Sequence, residues 1–150
     1  MFTEGLIMVL GVTELSKGIV GRERPLMYND DIPNSDKLER GEDGSMSFFS
    51  GHTSFSFYSA AFVSTVFSDL YPDSGYRYLV TGTTFAAASL VGYMRYEAGS
   101  HFPSDIIVGA AVGSAIGYLI PGLHRKKGSG IAVSHVFIGS SNGLMLSACF

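Results

Sequence analysis

The chain has little charge, a single cysteine and no tryptophan. The lone cysteine, Cys149, excludes an internal disulfide and a cysteine-based metal site. Charged residues make up 15% of the 150 residues, against about 25% in ordinary soluble domains. Because the net charge is −3, no broad basic surface is expected, and nucleic acid is not a predicted partner. The opening residues, MFTEG, lack the basic segment of a secretory signal.

Apolar residues are abundant instead. They make up 46% of the chain, and the mean hydropathy of +0.26 favours a membrane protein. Four apolar segments predict helices at about 3–20, 51–70, 76–94 and 103–119, and Pro121-Gly122 is expected to end the last one. The segments contain Ser, Thr and Gly and are short for membrane spans, which need about 20 mostly apolar residues. A tightly packed soluble bundle is therefore the alternative interpretation.

The fourth predicted helix carries glycine at every fourth residue. Gly109, Gly113 and Gly117 leave one of its faces without side chains. Such a face lets two helix backbones approach closely inside a bilayer. We therefore expect close helix packing along this face.

Three short blocks of sequence contain the groups needed to hold a phosphate and break its ester bond. They are Lys17 with Arg24-Pro25, then Ser50-Gly51-His52, then Arg95, His101 and Asp105. Phosphoryl transfer depends mainly on positioning and on cancelling charge on the equatorial oxygens. An ion pair at 4 Å is worth about 4 kcal/mol at an effective dielectric of 20, so three cations could dominate phosphate binding.

Each residue of these blocks has an expected role. Lys17, Arg24 and Arg95 would bind phosphate oxygens, together with the backbone N–H groups of Ser50 and Gly51 and the Ser50 hydroxyl at a helix start. His101 would be the nucleophile, and Asp105, one helical turn later, would fix its tautomer. His52 would give a proton to the leaving alcohol and then activate water. Arg22, by contrast, is interpreted as an interfacial anchor at a helix end.

The blocks resemble the three signature motifs of the type 2 phosphatidic acid phosphatase superfamily, which also contains bacterial class A acid phosphatases and vanadium haloperoxidases. Lys17-GIVGRE-Arg24-Pro25 fits the first motif fully. In the second, Phe49 stands where the family has proline, and in the third, Met94 stands where it has serine. The resemblance covers roughly residues 1–121.

The resemblance implies an all-α bundle of about four helices, forming part of a six-helix membrane phosphatase core. The chain would begin at the third family helix. It also implies metal-independent chemistry without a cofactor, through a phosphohistidine intermediate. We therefore expect a hydrolase that acts on a lipid phosphate monoester or diphosphate, with a core at 1–125 and a tail at 126–150. The alternatives are a soluble periplasmic acid phosphatase, a vanadate-dependent haloperoxidase and a truncated non-catalytic remnant.

Basic residues predict the orientation in a membrane. The run His124-Arg125-Lys126-Lys127 directly follows the fourth helix and favours a cytoplasmic location for that end. The motif-bearing helix ends would then share the opposite face. The expected location is the bacterial inner membrane with the active site facing the periplasm.

Two further segments have simpler interpretations. The acidic stretch 26–48 is predicted to be a connecting loop on the water side. In the tail, Asn142-Gly143 lies between two apolar runs and predicts the turn of a β-hairpin with strands at about 131–139 and 144–150.

Overall fold

Four long helices form the core of the protein. The computed structural model describes residues 1–39, 41–125, 131–138 and 141–148. The helices are α1 (Phe2–Val20), α2 (Asn34–Glu39), α3 (Gly51–Leu70), α4 (Tyr76–Glu97) and α5 (Pro103–His124). The predicted all-α core is confirmed, and α1, α3, α4 and α5 begin or end within a few residues of the apolar segments.

Residues at the helix ends explain where the helices begin and end. Gly21 ends α1 in a left-handed conformation with φ of 57°, and its N–H donates to the Lys17 carbonyl. Ser50 caps the start of α3, and Pro103 takes the first position of α5, where a missing N–H costs nothing. Helices α1 and α4 run in one direction and α3 and α5 in the other, with a long connection between α1 and α3 and short ones after α3 and α4.

The acidic connection between α1 and α3 is less irregular than predicted. It contains two 3₁₀ turns, Pro25–Tyr28 and Gly41–Ser45, on either side of the short helix α2. The loop is fixed to the helix ends by backbone hydrogen bonds, among them the bond from Leu26 N–H to the Gly99 carbonyl at 3.1 Å. It therefore lies against the turn between α4 and α5.

The glycine face of α5 packs directly on α3. A Cβ atom at Gly109 would lie 2.7 Å from the Ser50 carbonyl oxygen, and one at Gly113 would lie 2.0 Å from that of Ser54. Both distances are shorter than van der Waals contact, so only glycine allows this approach. The expectation of close packing along this face is confirmed. The two helices run parallel, which brings their N-termini side by side.

A small apolar cluster lies beside this contact. Val9 of α1, Tyr58 of α3, and Ile116 and Ile120 of α5 are all buried. The Tyr58 hydroxyl donates to the Phe2 carbonyl at 2.6 Å, so the polar end of the ring is satisfied. The cluster holds α1 against the α3–α5 pair.

The sequence predicted that Pro121 would end α5, and this prediction is wrong. The helix continues to His124 with Pro121 buried inside it. Proline removes one backbone hydrogen bond from a helix, and the last turn nonetheless makes contacts with two other helices. Arg125 donates to both carboxylate oxygens of Asp69 at the end of α3, at 2.8 and 2.9 Å, and His124 lies 3.4 Å from Glu4 of α1.

In the tail, β1 (Ile131–Ile138) pairs antiparallel with β2 (Ser141–Ala148). This register places Asn142 opposite Phe137 and Gly143 opposite Val136, inside the second strand. The predicted turn at Asn142-Gly143 therefore disagrees with the pairing. The hairpin predicted with this turn is therefore not supported, and the boundary between core and tail stays a prediction. Residues 126–130, 139–140 and 149–150 lie outside the described ranges.

Candidate active site

The three sequence blocks meet at one end of the bundle. They lie at the end of α1, the start of α3, the end of α4 and the start of α5. Backbone hydrogen bonds join these ends, including the one from Ser50 N–H to the Asp105 carbonyl at 3.1 Å. The close α3–α5 contact thus brings His52 and His101, which are 49 positions apart, to the same end of the molecule.

His101 is held in a defined orientation in the turn before α5. Its Nδ1 atom lies 2.7 Å from the Ser47 carbonyl oxygen, and its side chain is 4% exposed. A carbonyl can only accept a hydrogen bond, so Nδ1 carries the proton. In the neutral ring, Nε2 is then left with a free lone pair. Burial lowers the pKa of His101, and the hydrogen bond to Ser47 opposes that shift. A neutral ring at neutral pH is what a nucleophile requires.

Asp105 is fully buried and does not bond His101 directly. Its Oδ2 atom lies 4.0 Å from His101 Nδ1, an ion-pair distance that is too long for a hydrogen bond. The Ser47 hydroxyl donates to Oδ2 at 2.5 Å, and Phe102 N–H donates to the same atom at 3.0 Å. The direct contact that the sequence suggested is therefore replaced by Ser47, whose hydroxyl binds Asp105 and whose carbonyl binds His101.

Arg22 completes the environment of Asp105. Its Nη1 donates to Asp105 Oδ1 at 2.7 Å and to the Ser104 hydroxyl at 2.9 Å. Its guanidinium carbon also lies 4.0 Å from the centre of the Phe102 ring. The interpretation of Arg22 as an interfacial anchor is wrong. Breaking a buried ion pair by removing one partner costs about 3–5 kcal/mol, so this contact fixes the start of α5 firmly.

The three predicted phosphate-binding cations also lie at this end. Lys17 and Arg24 both interact electrostatically with His52 and with His101, and Arg95 interacts with His52. Lys17 Nζ is paired with Glu14 at 2.8 Å, and Arg24 is paired with Asp43 at 2.6 Å. Carboxylates thus neutralise two of the cations.

Arg95 differs from the other two cations. Its Nε atom is buried and has no hydrogen-bond partner in the described part of the protein. A buried N–H without a partner costs about 1–3 kcal/mol. A buried N–H of this kind is often explained by a ligand that supplies the hydrogen-bond acceptor.

The second block provides a helix start beside a groove. The groove has a volume of about 280 Å³, and its lining includes Lys17, His52, Thr13 and Phe55. A Cβ atom at Gly51 would lie 3.1 Å from the Thr13 methyl group, so glycine keeps α1 close to α3. His52 faces solvent, unlike His101.

Ser50 is placed differently from the expectation that its hydroxyl and its backbone N–H point at an anion. The N–H donates to the Asp105 carbonyl at 3.1 Å. The side chain is fully buried, and its oxygen accepts from the Thr53 hydroxyl at 2.9 Å and from Thr53 N–H at 3.5 Å. The hydroxyl therefore caps α3. Its contribution at this end is to fix the helix start that presents Gly51 and His52.

The two departures from the family motifs lie in opposite environments. Met94 is 60% exposed, so its side chain does not point into the cluster of motif residues, whereas Phe49 is 2% exposed and packs inside the protein. Neither position supplies charge or a proton to the cluster. Within the described ranges, no three His, Cys, Asp or Glu side chains are grouped as metal ligands would be.

Comparison with known proteins identifies the family of this chain. The family model described as the PAP2 superfamily matches residues 2–129, which include all three blocks. The chain belongs to this superfamily. Family membership confirms the resemblance that the motif spacing predicted.

Two curated relatives carry lipid phosphatase names. The chain is 35% identical over 94 residues to a probable diacylglycerol pyrophosphate phosphatase of Schizosaccharomyces pombe, covering 59% of this chain and 33% of the relative. It is 32% identical over 119 residues to a lipid A 4'-phosphatase of Porphyromonas gingivalis, covering 77% of this chain and 47% of the relative. The chain thus spans between a third and a half of these relatives. No solved structure matches it.

Sequence reasoning missed two residues of this site. Arg22 and Ser47 contact Asp105 from positions 83 and 58 residues away. Arg22 is two residues from Arg24 and carries the same charge, which was a signal that could have been weighed. Ser47 had no such signal, because its hydroxyl binds a residue 58 positions away and its carbonyl is a group that any residue has.

Proposed function

We propose that this protein hydrolyses a phosphate monoester or diphosphate carried by a lipid, through a phosphohistidine at His101. One observation carries the proposal. Ser50 N–H donates to the Asp105 carbonyl at 3.1 Å, which brings the His52 and His101 blocks to one end of the bundle, and Lys17 lines the same groove as His52. A tetrahedral phosphate bound there would touch a nucleophile, a proton donor and positive charge together.

In the first step, His101 Nε2 attacks phosphorus and forms an N–P bond as the bond from phosphorus to the ester oxygen breaks. Ser47 supports this step because its carbonyl keeps the proton on Nδ1. His52 gives its proton to the departing oxygen, which leaves as a neutral alcohol or as the shorter phosphate.

In the second step, the now neutral His52 takes a proton from a water molecule. The oxygen of that water attacks phosphorus, the N–P bond breaks and inorganic phosphate leaves. His101 returns to its neutral form and His52 is protonated again, so the cycle closes.

Phosphate binding requires two exchanges of partner. Lys17 must leave Glu14 and Arg24 must leave Asp43 before either can bind phosphate oxygens fully. Both acidic partners are largely exposed, with 63% and 59% of their side-chain surface open, so separating them from their cations costs little. Arg95 needs no exchange at Nε, since a phosphate oxygen would give that atom an acceptor.

The lipid part of the proposal rests on the surface of the helices. Of the described helices, α5 is long and apolar enough to cross a membrane. Large apolar side chains also remain exposed along the bundle, including Ile7, Leu15, Leu79, Leu90, Ile107 and Leu123. Both relatives are named for lipid substrates. A membrane location explains these exposed side chains better than a soluble bundle does.

The orientation follows from the positions of the charges. Arg125 lies at the end opposite the motif cluster, and Lys126 and Lys127 follow it in the sequence. Basic residues next to a membrane helix favour the cytoplasmic side. We therefore place the phosphate site on the opposite face, which in a bacterial inner membrane is the periplasmic one.

Phosphate release by the detergent-purified chain tests the proposal. Three substrates are compared in EDTA: a lipid phosphate monoester, a lipid diphosphate and soluble p-nitrophenyl phosphate. We expect release that vanadate blocks and that is faster with at least one lipid than with the soluble ester. Activity on p-nitrophenyl phosphate that equals or exceeds the activity on both lipids would contradict the lipid assignment. Full activity in His52→Ala would contradict the proton-transfer scheme.

A further inference from the structure

Arg22 makes three contacts with the segment that begins α5. It binds the Asp105 carboxylate, the Ser104 hydroxyl and the face of the Phe102 ring. These contacts fix the guanidinium plane, its distance from the carboxylate and its direction of approach. Arg22 therefore has a defined geometry although 36% of its side-chain surface is exposed.

Asp105 depends on these contacts because it has no access to solvent. The carboxylate is 0% exposed and accepts from Arg22, Ser47 and Phe102 N–H. Arg22 is the only one of these three donors with a positive charge. A buried carboxylate stays ionised only when charge and hydrogen bonds replace the lost hydration.

Ser47 transmits the position of Asp105 to His101. Its hydroxyl donates to Asp105 and its carbonyl accepts from His101 Nδ1, so one residue contacts both. Its backbone N–H also donates to the Arg22 carbonyl at 2.9 Å. Arg22, Ser47 and Asp105 thus contact one another, and Ser47 links them to His101.

We propose that Arg22 is a positioning residue for the phosphatase reaction, acting through Asp105 and Ser47 on His101. This inference rests on the proposed function. We assign Arg22 to positioning rather than to phosphate binding, because Nη1 serves Asp105 and Ser104 and the guanidinium lies over the Phe102 ring. Its loss would change turnover, whereas the loss of Lys17 or Arg24 would change phosphate binding.

The test compares Arg22→Gln and Arg22→Lys with a matched control, Arg125→Gln. Arg125 also pairs with an aspartate, but at the opposite end of α5. Activity is measured on the full chain with the best substrate found above, and it is normalised to the fraction of protein that binds vanadate. We expect kcat to fall roughly 10- to 10²-fold in Arg22→Gln, on the scale of a misplaced reacting group, with KM changed less than threefold.

The lysine variant and the control sharpen this expectation. Lysine keeps the charge without the planar fork, so Arg22→Lys should recover part of the lost kcat. Arg125→Gln should keep kcat within about twofold of the wild type, since surface pairs contribute little. A rise in KM with kcat unchanged in Arg22→Gln would instead make Arg22 a phosphate ligand and overturn the proposal.

A double-mutant cycle tests whether Arg22 acts through Asp105. If it does, Arg22→Gln should lower kcat only slightly further in a protein that already carries Asp105→Asn. Fully multiplicative losses would overturn the proposal. If Asp105→Asn alone retains wild-type turnover, the proposed role of Asp105 in the reaction fails. Multiplicative losses contradict only the action of Arg22 through Asp105, so the two failures can be told apart.

Nitrogen-15 NMR of the histidine rings gives a readout that needs no turnover. In the wild type, the His101 signals should report a ring with its proton on Nδ1. In Arg22→Lys, which preserves the charge and is the variant better able to fold, we expect measurable exchange between the two tautomers. Unchanged His101 signals in both folded Arg22 variants would contradict the inference.

Discussion

Each end of α5 carries an arginine–aspartate pair, and the two pairs differ in burial. At the N-terminal end, Arg22 binds Asp105 at 2.7 Å, and the aspartate is 0% exposed. At the C-terminal end, Arg125 binds Asp69 at 2.8 Å, and the aspartate is 38% exposed. The distances are nearly equal, so geometry alone does not distinguish them.

Burial decides what each pair can do. An exposed pair contributes about 0–1 kcal/mol to stability, because water competes for both charges. Removing Arg22 would leave the buried Asp105 charge without its cation, at a cost of about 3–5 kcal/mol. The C-terminal pair therefore adds only a surface contact at the end of α5, whereas the N-terminal pair fixes the orientation of groups around His101.

The largest expected difference between the two ends concerns histidine. His101→Ala should lower kcat roughly 10²- to 10⁴-fold, the general scale for loss of a catalytic group. His124, which is 41% exposed at the opposite end of α5, provides the matched control. His124→Ala should leave kcat within about twofold. Phosphate release at saturating substrate measures both, and comparable losses in the two variants would break the distinction between the ends.

Substituting each of the two aspartates tests the same distinction by its effect on protein stability. Asp105→Asn should lower the free energy of unfolding by about 1–3 kcal/mol, because Ser47 and the partly exposed Arg22 then face an uncharged amide. Asp69→Asn should lower it by about 1 kcal/mol or less. Thermal unfolding of both variants in the same detergent measures the difference. Equal losses would show that burial does not separate the pairs.

A substitution at the glycine contact between α3 and α5 should have the next largest effect on stability. In Gly113→Ala the new methyl group would meet the Ser54 carbonyl at 2.0 Å, and we expect a loss of about 1–3 kcal/mol as the helices move apart. In Gly82→Ala of α4 nothing lies within 4 Å, so we expect a gain of about 0.5–1 kcal/mol. A stable, fully active Gly113→Ala would mean that the close contact does not position the site.

The smallest expected effect is a shift in pH dependence. Burial lowers the pKa of His101 below 6.5, so the nucleophilic neutral ring persists at neutral pH and is lost only as the pH falls through that lowered value. The charge of Asp105 raises the same pKa, so Asp105→Asn should move the acid limb of kcat/KM to lower pH. Measuring both proteins on one substrate cancels ionisation of the substrate. A limb that moves to higher pH would contradict the assigned electrostatics.

The sequence predicted the helices and the meeting of the blocks for identifiable reasons. The apolar segments mark where the four long helices lie, and the glycine face of α5 marks where another helix packs closely. Motif spacing then placed Lys17, Arg24, Arg95 and both histidines at helix ends that lie together. These features are local, so a single chain displays them.

The rest depended on contacts between distant residues. The bond from Arg22 to Asp105 joins positions 83 apart, and the neighbouring Arg24 does not indicate which carboxylate Arg22 binds. The continuation of α5 past Pro121 likewise has no signal in the sequence around it, and its last turn contacts Asp69 and Glu4 of other helices. The capping role of the Ser50 hydroxyl was hidden because the same oxygen could equally have faced a ligand.

The most direct test of the central claim is to locate the phosphoryl group during turnover. The protein is mixed with a substrate whose terminal phosphate carries phosphorus-32, quenched in alkali after milliseconds and digested for mass spectrometry. We predict an alkali-stable, acid-labile label on His101, which accumulates in His52→Ala if water activation becomes slow. A label on any other residue, or none in a protein that is turning over, would contradict the account.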